Sequence, residues 1–417
     1  MAKRLLIFFI VITSMELFNV VFFGKGLIKI AELAGIGVIV LAILLQYIYN
    51  PNEGFRLNFK WEIILIFISI ILSMLMAYSG HNQGFGITAV AQRFMYFYLF
   101  YFALHLIKIS DTDLKQMFIY LAIVHTVFYM IQFAAYPTIL FDIKVSDSRG
   151  TLRIFLAGLS YLILAYFFVL NNLFKEFSIG KLALLFFFFS VFILMGTRQI
   201  IISMFLLTII NVLLSKRVKS KFLILTLVIL ATIPVIVMFQ DIFLNLLSVS
   251  QEQSEDVGED TRVRAATFFL TELFPNNAAY FTGNGVSSAN SGYGVRIQMY
   301  MDLYGFYQSD IGLLGDYCNF GVLFVLAVFI LIIRVLLMKL DQSHMFIKYF
   351  YITVLLTLFT GGGPFARGDS IVTICITLYL IDVYLQNKKI EESDSETDEE
   401  IYSEDEINSN DYQQYLK

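Results

Sequence analysis

The chain has 417 residues, of which 58% are hydrophobic, 16% aromatic and only 15% charged, and its net charge is −4. An ordinary soluble domain is about 25% charged, so this composition excludes that class, and nothing in the charge balance points to nucleic acid as a partner. What remains is an all-α, polytopic membrane protein.

In chain order, apolar runs predict about 12 transmembrane helices, at residues 5–23, 27–49, 61–78, 89–107, 116–136, 154–170, 182–195, 200–214, 222–240, 311–333, 345–360 and 371–385. A helix needs about 20 apolar residues to cross about 30 Å of hydrocarbon. The first run follows Lys3 and Arg4 as a signal peptide would, but Glu16 interrupts it and no small-residue cleavage site follows, so it reads as a retained span. Glu16, Arg93 and His125 fall inside spans, where ionisable groups are costly and tend to be paired or functional; an ion pair between Glu16 and Arg93 is one solution. Cys318 and Cys375 both lie in apolar runs and give no disulfide framework. One large extracytoplasmic loop, 241–310, divides helices 1–9 (residues 1–240) from helices 10–12 (residues 311–390). In the tail, 391–417, 11 acids against one base predict a disordered cytoplasmic segment.

With both termini in the cytoplasm, 18 of the 29 basic residues fall on the inner side, as the positive-inside rule requires. By residue type the division is sharper, with 14 lysines and 4 arginines inside against 3 lysines and 8 arginines outside. Topology signals treat the two alike, whereas only arginine offers a planar fork for phosphate or carboxylate. An arginine-rich outer face therefore points to an anionic ligand. The competing reading anchors these arginines on lipid headgroups or pairs them with outer acids such as Asp142, Asp147, Glu272 and Asp369.

Two outer segments carry candidate chemistry. The first is "MGTRQIII", 195–202, in which Arg198 has no carboxylate within ten residues on either side. If Lys181 and Lys216 face the cytoplasm, each leg of this hairpin has about 17 residues and reaches about 25 Å, short of a core of about 30 Å. Arg198 is thus expected a few ångströms below the outer surface, at the depth of a lipid diphosphate; a snorkelling arginine is the alternative.

The second segment is the large loop, where "SVSQEQSEDVGED" leads into "TRVRAATFFLTELFP". Asp260 or Thr261 caps a short helix there and Pro275 helps end it. Val263, Ala266, Phe269, Leu270 and Leu273 recur at helical spacing, so this helix lies on the membrane surface or packs on the bundle. Arg262 and Arg264 sit in its first turn, where a bound anion would be stabilised by side chains and helix dipole together. "FTGNGVSSANSGYGVR" follows, with Gly283 and Gly285 able to bring backbone N–H groups close to a ligand and Arg296 at its end; a plain connection is the alternative. Tyr293, Tyr300, Tyr304, Phe306 and Tyr307 crowd the re-entry, mostly as an aromatic belt, with sugar stacking as the other reading. The "GGGPFARGDS" turn adds Arg367 and Asp369, either facing the same cavity or satisfying their own charges.

The "GTRQIII" turn opening a helix, an Arg-x-Arg loop about 65 residues later, then "GNG" and "SDIGLLGDYCNFGVLFVL" starting a span, together resemble the O-antigen ligase and Wzy-type polysaccharide polymerase superfamily. The resemblance covers residues 190–335, and the span count extends it loosely over the chain. It matches Arg198 to the arginine of the family's short turn, Arg262 or Arg264 to that of its large loop, and Gly283 with Gly285 to its glycine pair; these and Arg296 are the substrate-binding candidates. Two departures stand out. The turn reads Thr197-Arg198-Gln199, without the family's usual Ser and Gly, and Gln308-Ser309-Asp310 stands where ligases carry a histidine, so the polymerase side is favoured.

The resemblance implies glycosyl transfer at the outer face of a bacterial cytoplasmic membrane, from a glycan on undecaprenyl pyrophosphate to a sugar hydroxyl of the next lipid-linked repeat unit of an O-antigen, capsule or exopolysaccharide. Implied partners are that glycan, the bilayer, a chain-length regulator and a flippase. Such transfer needs a stabilised leaving diphosphate, an aligned acceptor and a general base. Arginines serve the first need without a metal, no outer Asp-x-Asp or His cluster argues for one, and no cofactor is expected. For the base, Asp310 and Glu272 come first and His81 third, each also readable as a structural or solvated residue. A ligase is the nearer rival. A transporter or flippase of lipid-linked glycan is the more distant one, because no internal repeat is evident and the arginines gather at the outer edge.

Overall fold

The computed structural model of the protein describes residues 2–49, 57–143, 145–146, 152–215, 221, 226, 260–359 and 363–414. These are helical almost throughout. The strands among them, β1 (Val145–Ser146) and β2 (Arg153–Ile154), form one short antiparallel ladder with Val145 opposite Ile154. The helices run in chain order as α1 (Ala2–Ser14), α2 (Gly24–Tyr49), α3 (Lys60–His81), α4 (Phe85–Ala91), α5 (Phe100–Ile107), α6 (Asp111–Ala135), α7 (Leu159–Lys175), α8 (Ile179–Leu194) and α9 (Arg198–Leu214). Then come α10 (Thr261–Thr271), α11 (Ala279–Thr282), α12 (Gly292–Tyr304), α13 (Leu313–Leu337), α14 (Met345–Thr357) and α15 (Gly368–Gln414).

Among the described residues, five segments are long and apolar enough to cross a membrane: Val21–Leu45, Lys60–His81, Asp111–Ala135, Leu313–Leu337 and Gly368–Glu392. A sixth combines Phe85–Ala91 with Arg93–Ile107 across a bend of 69°. This is fewer than the expected dozen, for physical reasons. Helices α7, α8, α9 and α14 are apolar but have only 17, 16, 17 and 13 residues, so at 1.5 Å per residue they reach about 20–25 Å of the roughly 30 Å required. The expected span 5–23 is broken: α1 stops at Ser14, and Glu16, Leu17, Phe18 and Asn19 all take positive φ, between 51° and 57°. The expected span 222–240 lies outside the described residues apart from Thr226. Helix α15 carries its backbone on through the tail to Gln414. That segment is rich in Glu and holds no Gly or Pro, so nothing in its local propensity stops a helix already nucleated.

Helix α15 lies at the centre of the bundle. Ile371, Val372, Ile374, Cys375, Ile376 and Leu378 are fully buried, an apolar surface all round the helix. Helix α2 instead exposes Leu27, Ile30, Leu33, Leu41 and Leu44, a surface suited to acyl chains. Lipid is as apolar as leucine, so close packing and polar contacts, more than release of water, hold such helices together. Helix α3 lies along α13, α6 along α7, and α14 against both α7 and α9.

Polar contacts fasten the bundle at named places. Arg93 pairs with the buried Glu32 of α2 and not, as expected, with Glu16. The break at 16–19 turns Glu16 into its own loop, where it accepts from Asn19 Nδ2 at 2.8 Å. His125 Nδ1 lies 2.8 Å from Ala157 O. Arg367 Nε pairs with Asp369 Oδ1 at 3.5 Å, and Asp369 Oδ2 accepts from Gly158 N at 2.7 Å, so that turn satisfies its own charges.

Candidate functional site

At the end of the bundle that carries the large loop, α13 breaks at Gly321 (φ 76°, ψ −171°), a backbone that suits glycine. The break frees the carbonyls of Cys318 and Asn319, which accept from Asn284 N and Gly285 N, each at 2.8 Å. Asn284 Nδ2 adds a bond to Cys318 O at 3.0 Å. The 283–285 loop can enter because Gly283 and Gly285 (φ 74° and 72°) lack side chains. A Cβ on Gly283 would stand 2.5 Å from Asn319 O, and one on Gly285 2.8 Å from Ala77 Cβ of α3. The N–H groups expected to face a ligand are thus bonded inside the protein, with Gly283 N on Ala279 O at 2.8 Å, and both glycines serve the interlock. His81, at the end of α3, grips the same loop: its Nε2 lies 3.0 Å from Asn284 Oδ1 and its ring stacks on Tyr293 at 4.0 Å.

Helix α10 begins as its sequence predicts, with Asp260 Oδ1 accepting from Arg262 N at 2.7 Å. Ala265, Phe269 and Leu273, spaced one turn apart, are buried against Tyr293, Ile297, Phe306, Ile311 and Cys318, so of the two expected placements the helix packs on the bundle. Tyr293 and Phe306 are buried in this small core and Tyr300 packs on Phe268 at 4.0 Å. Tyr293 and Phe306 are therefore loop core and not the aromatic belt favoured from sequence, whereas Tyr304 is exposed. Burial pushes the Tyr293 hydroxyl well above its ordinary pKa, which keeps it protonated.

The remaining candidates fall into separate groups. Arg262 is exposed at the start of α10, and the Arg264 guanidinium stands over the Phe306 ring at 5.8 Å. Glu272 is exposed just past the other end of the helix, about 15 Å from Arg262 at 1.5 Å per residue. Arg296 reaches that end and donates through Nη2 to Glu272 O at 3.3 Å. Asp310 is exposed in the turn Gln308–Ile311, with Ser309 Oγ at 3.5 Å. The structure therefore brings Arg296 to Glu272 and keeps Arg262 away from it.

Arg198 belongs elsewhere. After Gly196 (φ 59°) reverses the chain, α9 opens at Arg198, half-buried. Arg198, Ile202 and Leu206 are spaced four apart and share one helix face. With Gln199, Ser203 and Leu356 of α14 they line a cleft of about 390 Å³. The Gln199 side-chain amide donates to Leu356 O and fastens the two helices at its rim.

One residue of this region escaped sequence reasoning. Leu313 N donates to Leu358 O at 2.8 Å, so the stretch that borders the Arg198 cleft also abuts the head of α13. In the first turn of α13 lies Asp316, only 6% exposed, its Oδ2 buried without a hydrogen-bond partner among the described residues. Gly363 rests directly on it, and a Cβ there would collide with both carboxylate oxygens. The signal was available, since an acid in an apolar run is conspicuous by itself. Among the described residues no group of three or more His, Cys, Asp or Glu is placed to hold a metal ion. No protein-family model and no curated protein matches the chain.

Proposed function

We propose that the protein polymerises lipid-linked oligosaccharide repeat units at the outer face of the bacterial cytoplasmic membrane, transferring the growing glycan from undecaprenyl pyrophosphate to a sugar hydroxyl of the next unit. The observation that carries this reading is the Arg198 cleft, with a cation at a helix N-terminus and apolar residues along the same face. A polyprenyl diphosphate has the same two parts. Its phosphates are stabilised by Arg198 and by the helix dipole at the opening of α9. Its prenyl chain runs along Ile202 and Leu206, about 6 and 12 Å further down the helix. As the glycosidic C–O bond to the diphosphate breaks, negative charge grows on the leaving oxygen, where a placed cation contributes most.

The break in α13 bears on the transporter alternative. Transporters leave such broken helices open to a passing ion or substrate, whereas the carbonyls freed at Gly321 are taken up by the protein's own 283–285 loop. The polymerase reading carries with it the twelve-crossing topology, with both termini cytoplasmic and the bilayer thinned around the short helices. A reporter fused after Lys417 is expected on the cytoplasmic side, and an external signal refutes that topology.

Analysis of lipid-linked glycans tests the function. Cells lacking the protein should retain single repeat units on the lipid carrier and lose long chains. Arg198→Ala should slow chain extension about 100-fold or more at unchanged protein level. Normal chain length in that variant removes Arg198 from the mechanism. Loss of all repeat units from the outer face identifies a flippase instead, and free long chains missing from their final acceptor identify a ligase.

A further inference from the structure

We propose that Asp316 is the base that takes the proton from the acceptor hydroxyl, an assignment that rests on the glycan-transfer reading. The Asp316 Oδ2, withdrawn from water and without a hydrogen bond among the described residues, works against folding, and its place in the first turn of α13 offsets that cost only in part. Other polar atoms of the same stretch of chain share its lack of partners. Asn319 Oδ1, one turn along α13, is also buried without a partner among the described residues. So is Gln308 Nε2, and the backbone oxygen of Gln308 lies against Gly315. Two acceptors and one donor are what a sugar hydroxyl and its neighbours engage.

Position supports the same role. The chain from Leu356 to Gly363 touches the Arg198 cleft through Leu356, the head of α13 through Leu358 and the Asp316 carboxylate through Gly363. Leu356 and Gly363, seven positions apart, thus tie the Arg198 cleft and the Asp316 carboxylate to one short stretch of chain. The other buried carboxylate of this region, Asp369, is occupied by Arg367 and Gly158 N. Asp310 and Glu272 stand exposed. Tyr98, whose hydroxyl donates to Phe365 O at 2.9 Å, and Cys318 of its own helix lie within electrostatic reach of Asp316, and neither carries a positive charge.

The step balances. The acceptor hydroxyl loses its proton to Asp316 and its oxygen bonds the anomeric carbon. The bond from that carbon to the diphosphate breaks, its electron pair stays on the phosphate oxygen, and Arg198 holds the anion.

The test uses the full chain in lipid vesicles, supplied with lipid-linked glycan extracted from cells that lack the protein, with extension followed against pH. Asp316→Asn is expected to lower turnover at least about 100-fold, to leave KM within about threefold, and to abolish the rise of rate with pH that an ionising base gives the wild type. Asp316→Glu, which keeps a carboxylate one methylene further out, should fall between the two with that rise displaced along the pH axis. Turnover of Asp316→Asn within threefold of wild type, or a wild-type pH profile in Asp316→Glu, overturns the assignment. If Arg198→Ala is inactive while Asp316→Asn extends chains, only the base is wrong. If folded wild type extends nothing, the transfer reading falls and takes this inference with it.

Discussion

Asp382 in α15 and Asp316 in α13 are buried to nearly the same degree, 4% and 6% exposed, yet they keep different company. Asp382 accepts from Asn58 Nδ2 at 2.7 Å and from the Tyr101 hydroxyl, and His105 Nε2 lies 3.1 Å away. Those donors belong to α5 and to the entry of α3, so one carboxylate staples three parts of the chain. Nearby, Glu62 of α3 pairs with Arg334 of α13. At the loop end the Asp316 Oδ2 has no such donor among the described residues. A buried carboxylate is tolerated when hydrogen bonds compensate its desolvation. Asp382 is explained by the fold it fastens, and Asp316 is left for chemistry.

Stability measurements on the detergent-solubilised protein can break this contrast. The largest effect belongs to Asp382→Ala, which strips the Tyr101 hydroxyl and the Asn58 amide of their acceptor. At about 1–3 kcal/mol for each buried group left unsatisfied, the loss should reach about 3 kcal/mol or more. Glu62→Gln should cost less, about 1–2 kcal/mol, because the Arg334 side chain is 38% exposed and can turn to a solvated or headgroup position. Asp316→Asn should go the other way, leaving thermal stability unchanged or raising it by about 1 kcal/mol, since it removes an uncompensated charge. A loss comparable to that of Asp382→Ala would make the two aspartates alike and Asp316 structural.

Legibility from sequence divides along a similar line. Features set by neighbours within one helix were readable: the apolar runs, the Asp260 cap of α10, the short legs that carry Arg198. Features set by a distant partner were not. Arg93 finds Glu32, 61 positions away, and nothing in the run around Arg93 says which helix will supply the acid. The break at 16–19 carries no glycine or proline to announce it, and Phe18 within it is buried edge-on against Phe128 of α6, far along the chain. "GNG" was conspicuous in the sequence, but its use depends on Gly321 breaking α13 to free two carbonyls. Asp316 shows the limit most clearly. Its presence in an apolar run is a sequence fact, whereas its isolation is a property of every helix around it.

The smallest expected effect gives the most specific test. A Cβ on Gly363 would overlap both carboxylate oxygens of Asp316 and stand 2.6 Å from its Cγ, so Gly363→Ala must displace the carboxylate or the chain beside it. The backbone at Gly363 is not left-handed, so alanine brings no left-handed strain, and the nearest atoms its Cβ would meet all belong to the Asp316 carboxylate. In an Asp316→Ala background the clashing atoms are gone, and Gly363→Ala should become nearly silent. The two substitutions should therefore couple by about 0.5–1 kcal/mol in a double-mutant cycle of thermal stability. The same displacement should lower chain extension by Gly363→Ala in the wild-type background and have no further effect once Asp316 is absent. If Gly363→Ala costs the same stability in both backgrounds, the glycine is needed for a neighbour other than Asp316, and the carboxylate does not lie where the contrast with Asp382 requires.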